Sequence, residues 1–281
     1  MSYKTVLVHV DESEHAGARI KLAATIAMSE HAHLIGTAVT GASRYLMQTR
    51  MQAEHYLNLK SHLDFLRERA ERGLQDFDLT VQRIGLPLSS CEKRLVDDEA
   101  GAGICLQARY ADLVVIGQND PEELSPVVLP DFPEYVVLNS GRPVLLVPHA
   151  GRCETIGKSV LVAWDTSMQA TRAVTCALPL LHRAQLVQVV TFHHETRLLP
   201  SAQSAASDLA VYLARHGVKA EILQKRTERK TGEALMSLAA ELDSDLIVMG
   251  GYGHTRFREI VLGEVTRSVL DAMAIPVLMS Y

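Results

Sequence analysis

Apolar residues in this chain follow two periods that alternate. Short, nearly continuous runs rich in β-branched residues, at 5–10, Leu34 to Val39, Leu113 to Ile116 and Val144 to Val147, read as strands buried on both faces of a parallel sheet. Between them the period lengthens to three or four. Ala16, Ile20, Ala23, Ala24 and Ala27 predict a helix from Ser13 to His31, with Ser13 and Glu14 at its start. Leu57, Leu59, Leu63, Leu66, Ala70 and Leu74 mark a long amphipathic helix within 41–80. A third strand is expected near Thr80 to Ile84, a helix near Asp97 to Tyr110 and a short helix near Tyr135 to Asn139. The second half shows the same alternation. Strands are expected at Val160 to Trp164, Leu186 to Phe192, Ala220 to Lys225, Leu246 to Met249 and Val277 to Ser280. Helices are expected at Gln169 to His182, Ala202 to His216, Gly232 to Leu242 and Val265 to Met273.

The similarity of the halves is literal in places. Val6-Leu7-Val8-His9-Val10-Asp11 returns as Val160-Leu161-Val162-Ala163-Trp164-Asp165, and Asp112-Leu113-Val114-Val115-Ile116-Gly117 returns as Asp245-Leu246-Ile247-Val248-Met249-Gly250. The offset is 154 at the first pair and 133 at the second, so the first half carries 21 extra residues between its first and fourth strands. Strands alternating with helices of ten or more residues require right-handed crossovers and a parallel sheet. The expected fold class is therefore α/β, two tandem doubly wound domains of Rossmann-like or flavodoxin-like type, at 1–148 and 158–281. The segment His149 to Gly157 links them.

The stretch with most chemistry is Asp245 to Gly253, followed by Gly263-Glu264-Val265-Thr266. It reads as strand, glycine turn, helix. Gly250 and Gly253 allow positive φ and close backbone approach, so amides can point at an anion. The helix after Gly263 offers free N–H groups and the positive end of a dipole to the same anion. Glycines after a strand more often merely turn the chain, so Gly-x2-Gly alone is weak.

The longer pattern, strand, Gly-x2-Gly, nine residues and Gly, resembles the signature of the universal stress protein family, which ends in Gly followed by Ser or Thr. The resemblance implies strand order 3-2-1-4-5 in each domain and, in many members, ATP bound at the carboxyl ends of strands 1 and 4. Carried onto this chain, the candidate nucleotide-binding residues are Asp165, Phe192, Met249, Gly250, Gly253, Gly263, Glu264, Val265 and Thr266. Glu264 departs from the pattern, standing where a hydroxyl would donate to phosphate. A carboxylate about 4 Å from a phosphate charge costs roughly 4 kcal/mol at an effective dielectric near 20, so the site is expected to be weak if Glu264 faces it. The competing role for Asp11 and Asp165 is to cap the following helix.

In the first half Gly253, Gly263, Glu264 and Thr266 become Asp120, Pro130, Asp131 and Pro133, with Glu122 and Glu123 nearby. Carboxylates replace the amide cradle, and no phosphate site is expected there. The resemblance also implies pairing through strand 5, so the edges at Val144 to Val147 and Val277 to Ser280 are expected to face each other as an intramolecular pseudo-dimer. Whole chains are further expected to form a homodimer.

Composition narrows the rest. The 281 residues are 47% hydrophobic and 22% charged, an ordinary folded composition with a net charge of −5 that argues against a nucleic-acid surface. Residues 1–150 hold 14 basic against 20 acidic residues and 151–281 hold 14 against 13, so a polyphosphate suits the second half. Arg256, Arg258 and Arg267 stand around its loop. The four cysteines show no C-x-x-C spacing and suit a reducing compartment. No apolar run is long enough for a membrane span, and the apolar stretch near Met1 is too short for a signal peptide. A cytoplasmic location is expected.

Gly101-Ala102-Gly103 follows Glu99 rather than a strand, so it is not a dinucleotide fingerprint. His193 and His194 are adjacent and point apart on an extended segment, so no metal site is assigned. Asp165, Ser167 and His194 supply the residue types of a hydrolytic triad without a nucleophile elbow, and no catalytic residue is assigned. The expected function is a stress-response binding or regulatory module, not an enzyme, with a weak ATP site in the second domain only. An adenine nucleotide and a protein partner are its expected ligands, without nucleic acid or membrane. A slow ATPase or phosphotransferase, and a ligand-free scaffold, are the alternatives.

Overall fold

A computed structural model describes residues 2–43, 57–123, 125–151, 155–193, 200–252 and 263–281. The chain divides into two compact units, Ser2–Val144 and Leu145–Tyr281.

The first unit runs β1 (Thr5–Val10), α1 (Ala16–Glu30), β2 (His33–Val39), α2 (Leu57–Ile84), a 3₁₀ turn (Leu88–Ser90), β3 (Cys91–Val96), α3 (Ala100–Ala108), β4 (Leu113–Gly117) and α4 (Phe132–Asn139), and ends at the head of β5 (Val144–Val147). Its strand order is β3-β2-β1-β4. β1 is paired in parallel with both β2 and β4, Val6 standing opposite Leu34 on one side and Leu113 on the other. Val6, Leu7, Val8 and Leu113 to Ile116 are fully buried, so these strands are apolar throughout rather than alternating.

The second unit contains β6 (Ser159–Ala163), α5 (Met168–Leu181), β7 (Leu186–His193), α6 (Pro200–Arg215), β8 (Glu221–Arg226), α7 (Thr231–Glu241), β9 (Leu246–Gly250), α8 (Glu264–Ala272) and β10 (Val277–Ser280). Its order, β10-β9-β6-β7-β8, is the same doubly wound arrangement with the first strand at the centre. β6 pairs in parallel with β7 and β9.

The aspartate that opens each fourth strand has the same task in both units. Asp112 Oδ2 accepts the amides of Lys4 and Thr5 at 2.7 and 3.0 Å, and Asp245 accepts the amides of Lys158 and Ser159 at 3.1 and 3.0 Å. Each carboxylate ties the start of the fourth strand to the start of the first, so the repeated Asp has a structural cause.

One strand lies elsewhere than expected. The segment Thr80 to Ile84 is not strand 3; it is the last turn of α2, and the strand lies at Cys91–Val96. The helical stripe continues through Phe77 and Val81, both fully buried, with Phe77 packed on Gly36 of β2, and Gly85 at φ +80° ends the helix. Strand β3 carries Glu92, Lys93 and Arg94, and this charge hid it. The extra length of the first half lies partly in α2, which has 28 residues against 16 in α6. Among the described residues no helix is long and apolar enough to cross a membrane.

Candidate functional site

In an open parallel sheet the crevice opens outside the carboxyl ends of the strands, where the winding reverses on either side of the first strand. Both units place the same turn there. Asp11 Oδ1 accepts from the Ser13 amide and hydroxyl at 3.1 and 2.6 Å, and Asp165 Oδ1 accepts from the Ser167 amide and hydroxyl at 3.0 and 2.6 Å. In the second unit the Ser167 hydroxyl oxygen also accepts from the Ala170 amide at 3.1 Å and caps α5. In the first, α1 begins later than expected, at Ala16, with no side-chain cap.

The first crevice holds a buried side chain of its own helix at the end of β1. Arg19, 3% exposed, donates from Nε to the His9 carbonyl at 2.8 Å and from Nη2 to Asp11 Oδ1 at 2.7 Å. Its Nη1 lies only 2.5 Å from where a Cβ on Gly117 would stand. Burial would raise the Asp11 pKa, but Arg19, His9 and the Ser13 hydroxyl together hold it well below the usual carboxylate range. Burial pushes His9 down to about 4, so its ring is neutral at neutral pH, with its centroid 4.9 Å from that of the tilted Phe132 ring.

The helix that would cradle phosphate here cannot do so. α4 starts Phe132-Pro133 behind Asp131, which makes no cap bond, and Pro133 lacks the N–H that a cradle needs. Asp120, 3.1 Å from His15, and Glu123, which accepts the Glu14 amide, add carboxylates beside it.

The second crevice differs at each of these points. With the offset of 154, Arg19 corresponds to Ala173, fully buried on α5. Gly250 sits directly under the start of α5, where a Cβ would come within 2.5 Å of the Ala170 amide nitrogen. This close approach, not a positive φ, is what requires glycine. The left-handed residue of the turn is Tyr252, at φ 59°. Gly263 is the N-cap of α8 at φ −56°. Thr266, 2% exposed, accepts the Tyr252 amide on its hydroxyl at 3.1 Å and so fixes the turn after β9 to the first turn of α8. Met249 is buried in β9, and Phe192 is half-buried at the end of β7. Gly253, Arg256, Arg258 and His194 lie outside the described residues; Arg267 is exposed on α8.

Glu264 does not point where the sequence suggested. Its side chain is 70% exposed and paired at 2.6 Å with Lys230, the N-cap of α7. The carboxylate expected to oppose phosphate is turned outward and neutralised. Three buried polar atoms at the ends of β6 and β7, Trp164 Nε1, Thr191 Oγ1 and His193 Nδ1, have no hydrogen-bond partner among the described residues. Sequence reasoning missed Arg19, Ala173 and Lys230. Arg19 was findable: it falls on the same helical stripe as Ala16, Ile20 and Ala23, where a charge must be paired.

The chain is thus a tandem pair of doubly wound α/β units, one with a buried arginine and one with a helix start and glycine turn at its strand ends. The model of the Universal stress protein family matches residues 2–148 and again 157–280, and the chain belongs to that family. A universal stress protein of Synechocystis sp. is 24% identical over 253 residues, spanning 89% of this chain and 83% of the relative. Among solved structures, a universal stress protein from Archaeoglobus fulgidus DSM 4304 superposes with a TM-score of 0.74 at 16% identity, covering 98% of this chain and 97% of that one. A protein from Pseudomonas aeruginosa PAO1, of unknown function, gives 0.60 at 17% identity over 98% and 92%. At these identities the structures speak for the fold.

Proposed function

We propose that this universal stress protein binds one adenine nucleotide, ATP, per chain, in the crevice of the second domain, and acts as a binding and regulatory module in the stress response. The observation that carries this reading is the contrast between Arg19 and Ala173: the first helix of one unit sends a buried guanidinium to the end of its first strand, and the equivalent helix position of the other carries only a methyl group. The residues of the second crevice fit such a ligand. The first amides of α8 and the turn fixed by Thr266 suit phosphate oxygens. Asp165 suits a ribose hydroxyl or an amino group. Trp164 Nε1, Thr191 Oγ1 and His193 Nδ1 are buried groups that each gain from a polar partner. The nucleotide would supply phosphate charge and a polar base edge; the chain's own residues position and desolvate it.

Hydrolysis is not part of this reading. The Ser167 hydroxyl is held by Asp165 and by the Ala170 amide, and none of the described crevice residues is placed as a general base on a free nucleophile. Cys91, Cys105 and Cys176 form no disulfide, which suits a reducing cytoplasm, where we place the protein.

Trp164 is the single tryptophan of the chain and adjoins Asp165, so its fluorescence reports on this crevice alone. Titration with ATP is expected to change that signal and to saturate at one nucleotide per chain by calorimetry, without phosphate release. Two equivalents, or none, would refute the reading. Stoichiometric release of phosphate would favour the ATPase alternative.

A further inference from the structure

The start of α7 approaches the start of α8 unusually closely. A Cβ on Gly232 would stand 2.9 Å from Ser268 Cβ and Oγ and 3.1 Å from the Val265 carbonyl oxygen. Only glycine permits that spacing, and it brings Lys230, immediately before α7, to 2.6 Å from Glu264 at the first position of α8. The two side chains border a cavity of about 320 Å³ that also touches Arg229, Thr231 and Val265.

A glutamate at a helix start has two places to go. The unpaired amides of its own first turn and the positive end of the dipole draw it inward, over the position a phosphate would use. A cation on the neighbouring helix draws it outward. Here the outward position is occupied, and the hydrogen bond to Glu264 raises the Lys230 pKa above the ordinary lysine value.

We infer that Lys230 is a positioning residue for the second crevice: by holding the Glu264 carboxylate away from the α8 amides it sets how strongly that domain binds phosphate groups. The inference rests on the nucleotide reading above and adds the residue that tunes it. Because the ion pair is exposed, its influence is modest and weakens with salt.

The test is a double-mutant cycle read by ATP titration at low ionic strength. Lys230→Met is expected to weaken ATP binding by up to about fivefold, the range of an exposed ion pair. In a Glu264→Gln background the same change is expected to do almost nothing. An equal loss in both backgrounds would mean that Lys230 meets phosphate directly and would overturn the inference. A second readout needs no nucleotide. The ¹⁵Nζ titration of Lys230 in the ligand-free protein should shift downward on Glu264→Gln, and an unmoved titration would show that the pair does not form in solution. If wild type binds neither ATP nor tripolyphosphate, the nucleotide reading fails and this inference with it. Tight wild-type binding with no coupling in the cycle removes this inference alone.

Discussion

Arg19 Nη2 lies 2.7 Å from Asp11 Oδ1 at the carboxyl end of the first strand, with the arginine side chain 4% and the aspartate 24% exposed. The same guanidinium also holds the His9 carbonyl. This pair buries a charge at the first strand end and holds the aspartate whose counterpart in the second domain, Asp165, is exposed and bonded to Ser167. Removing one member leaves a largely buried, uncompensated charge, a change that typically costs about 3–5 kcal/mol. Arg19→Met is therefore expected to lower stability by roughly that amount in urea unfolding. The double variant Arg19→Met with Asp11→Asn should lose clearly less than the sum of the two single changes. Additive losses would show that the two side chains are not coupled. Freed of Arg19, the first crevice should still not take up ATP, because Pro133 and Asp131 leave α4 without a phosphate cradle.

Acid should weaken the first domain in two stages. His9 has a folded pKa of about 4 against an ordinary 6.5, mainly through burial. Between those values the unfolded chain binds the extra proton, so stability is fully present above pH 6.5 and falls as the pH drops toward 4. The loss is about 3 kcal/mol from this group. Asp11, held low by Arg19, adds a further loss below its ordinary range. His9→Gln should flatten the decline between pH 6.5 and 4 while leaving the lower stage in place. Denaturant midpoints measured across pH 3 to 8 for both proteins would check this, and parallel curves would contradict it.

Two glycines at equivalent strand ends should respond differently to the same substitution. A Cβ on Gly250 meets backbone, at 2.5 Å from the Ala170 nitrogen and 2.8 Å from the Gln169 carbonyl carbon. A Cβ on Gly117 meets only the end of the Arg19 side chain. Gly250→Ala must displace the start of α5 and is expected to cost about 1–3 kcal/mol, as overpacking does. Gly117→Ala should cost less, and what it costs should vanish in the Arg19→Met background. Thermal unfolding of the four proteins decides the matter, and a larger cost at Gly117 would reverse the assignment.

The fold was legible wherever apolar periodicity was decisive. The central strands and α1, α5 and α8 fall within a few residues of their expected positions, because runs such as Leu113 to Ile116 are buried on both faces and cannot be anything else. β3 was not legible: it lies at the outer end of the strand order, carries Glu92, Lys93 and Arg94, and looks like surface. In the site, backbone features could be read and side-chain directions could not. Gly250, Gly263 and Thr266 fell at a strand end and a helix start, as their spacing required. The direction of Glu264 depends on Lys230, 34 positions earlier, and on how closely Gly232 lets two helices approach. Neither is visible in local pattern.

That direction changes the expected effect of Glu264→Ser. A carboxylate facing phosphate at about 4 Å would cost roughly 4 kcal/mol at an effective dielectric near 20, and its removal would tighten ATP about a thousandfold. With the side chain 70% exposed and paired to Lys230, water and the ammonium screen most of that repulsion. Glu264→Ser is therefore expected to tighten ATP by less than about tenfold, the scale of an exposed charge. The gain should shrink at high ionic strength, and Asp131→Ser in the first domain should leave affinity unchanged. Calorimetric titrations of the three proteins at two salt concentrations distinguish the cases. A thousandfold gain in Glu264→Ser would place the carboxylate inward over the α8 amides in solution.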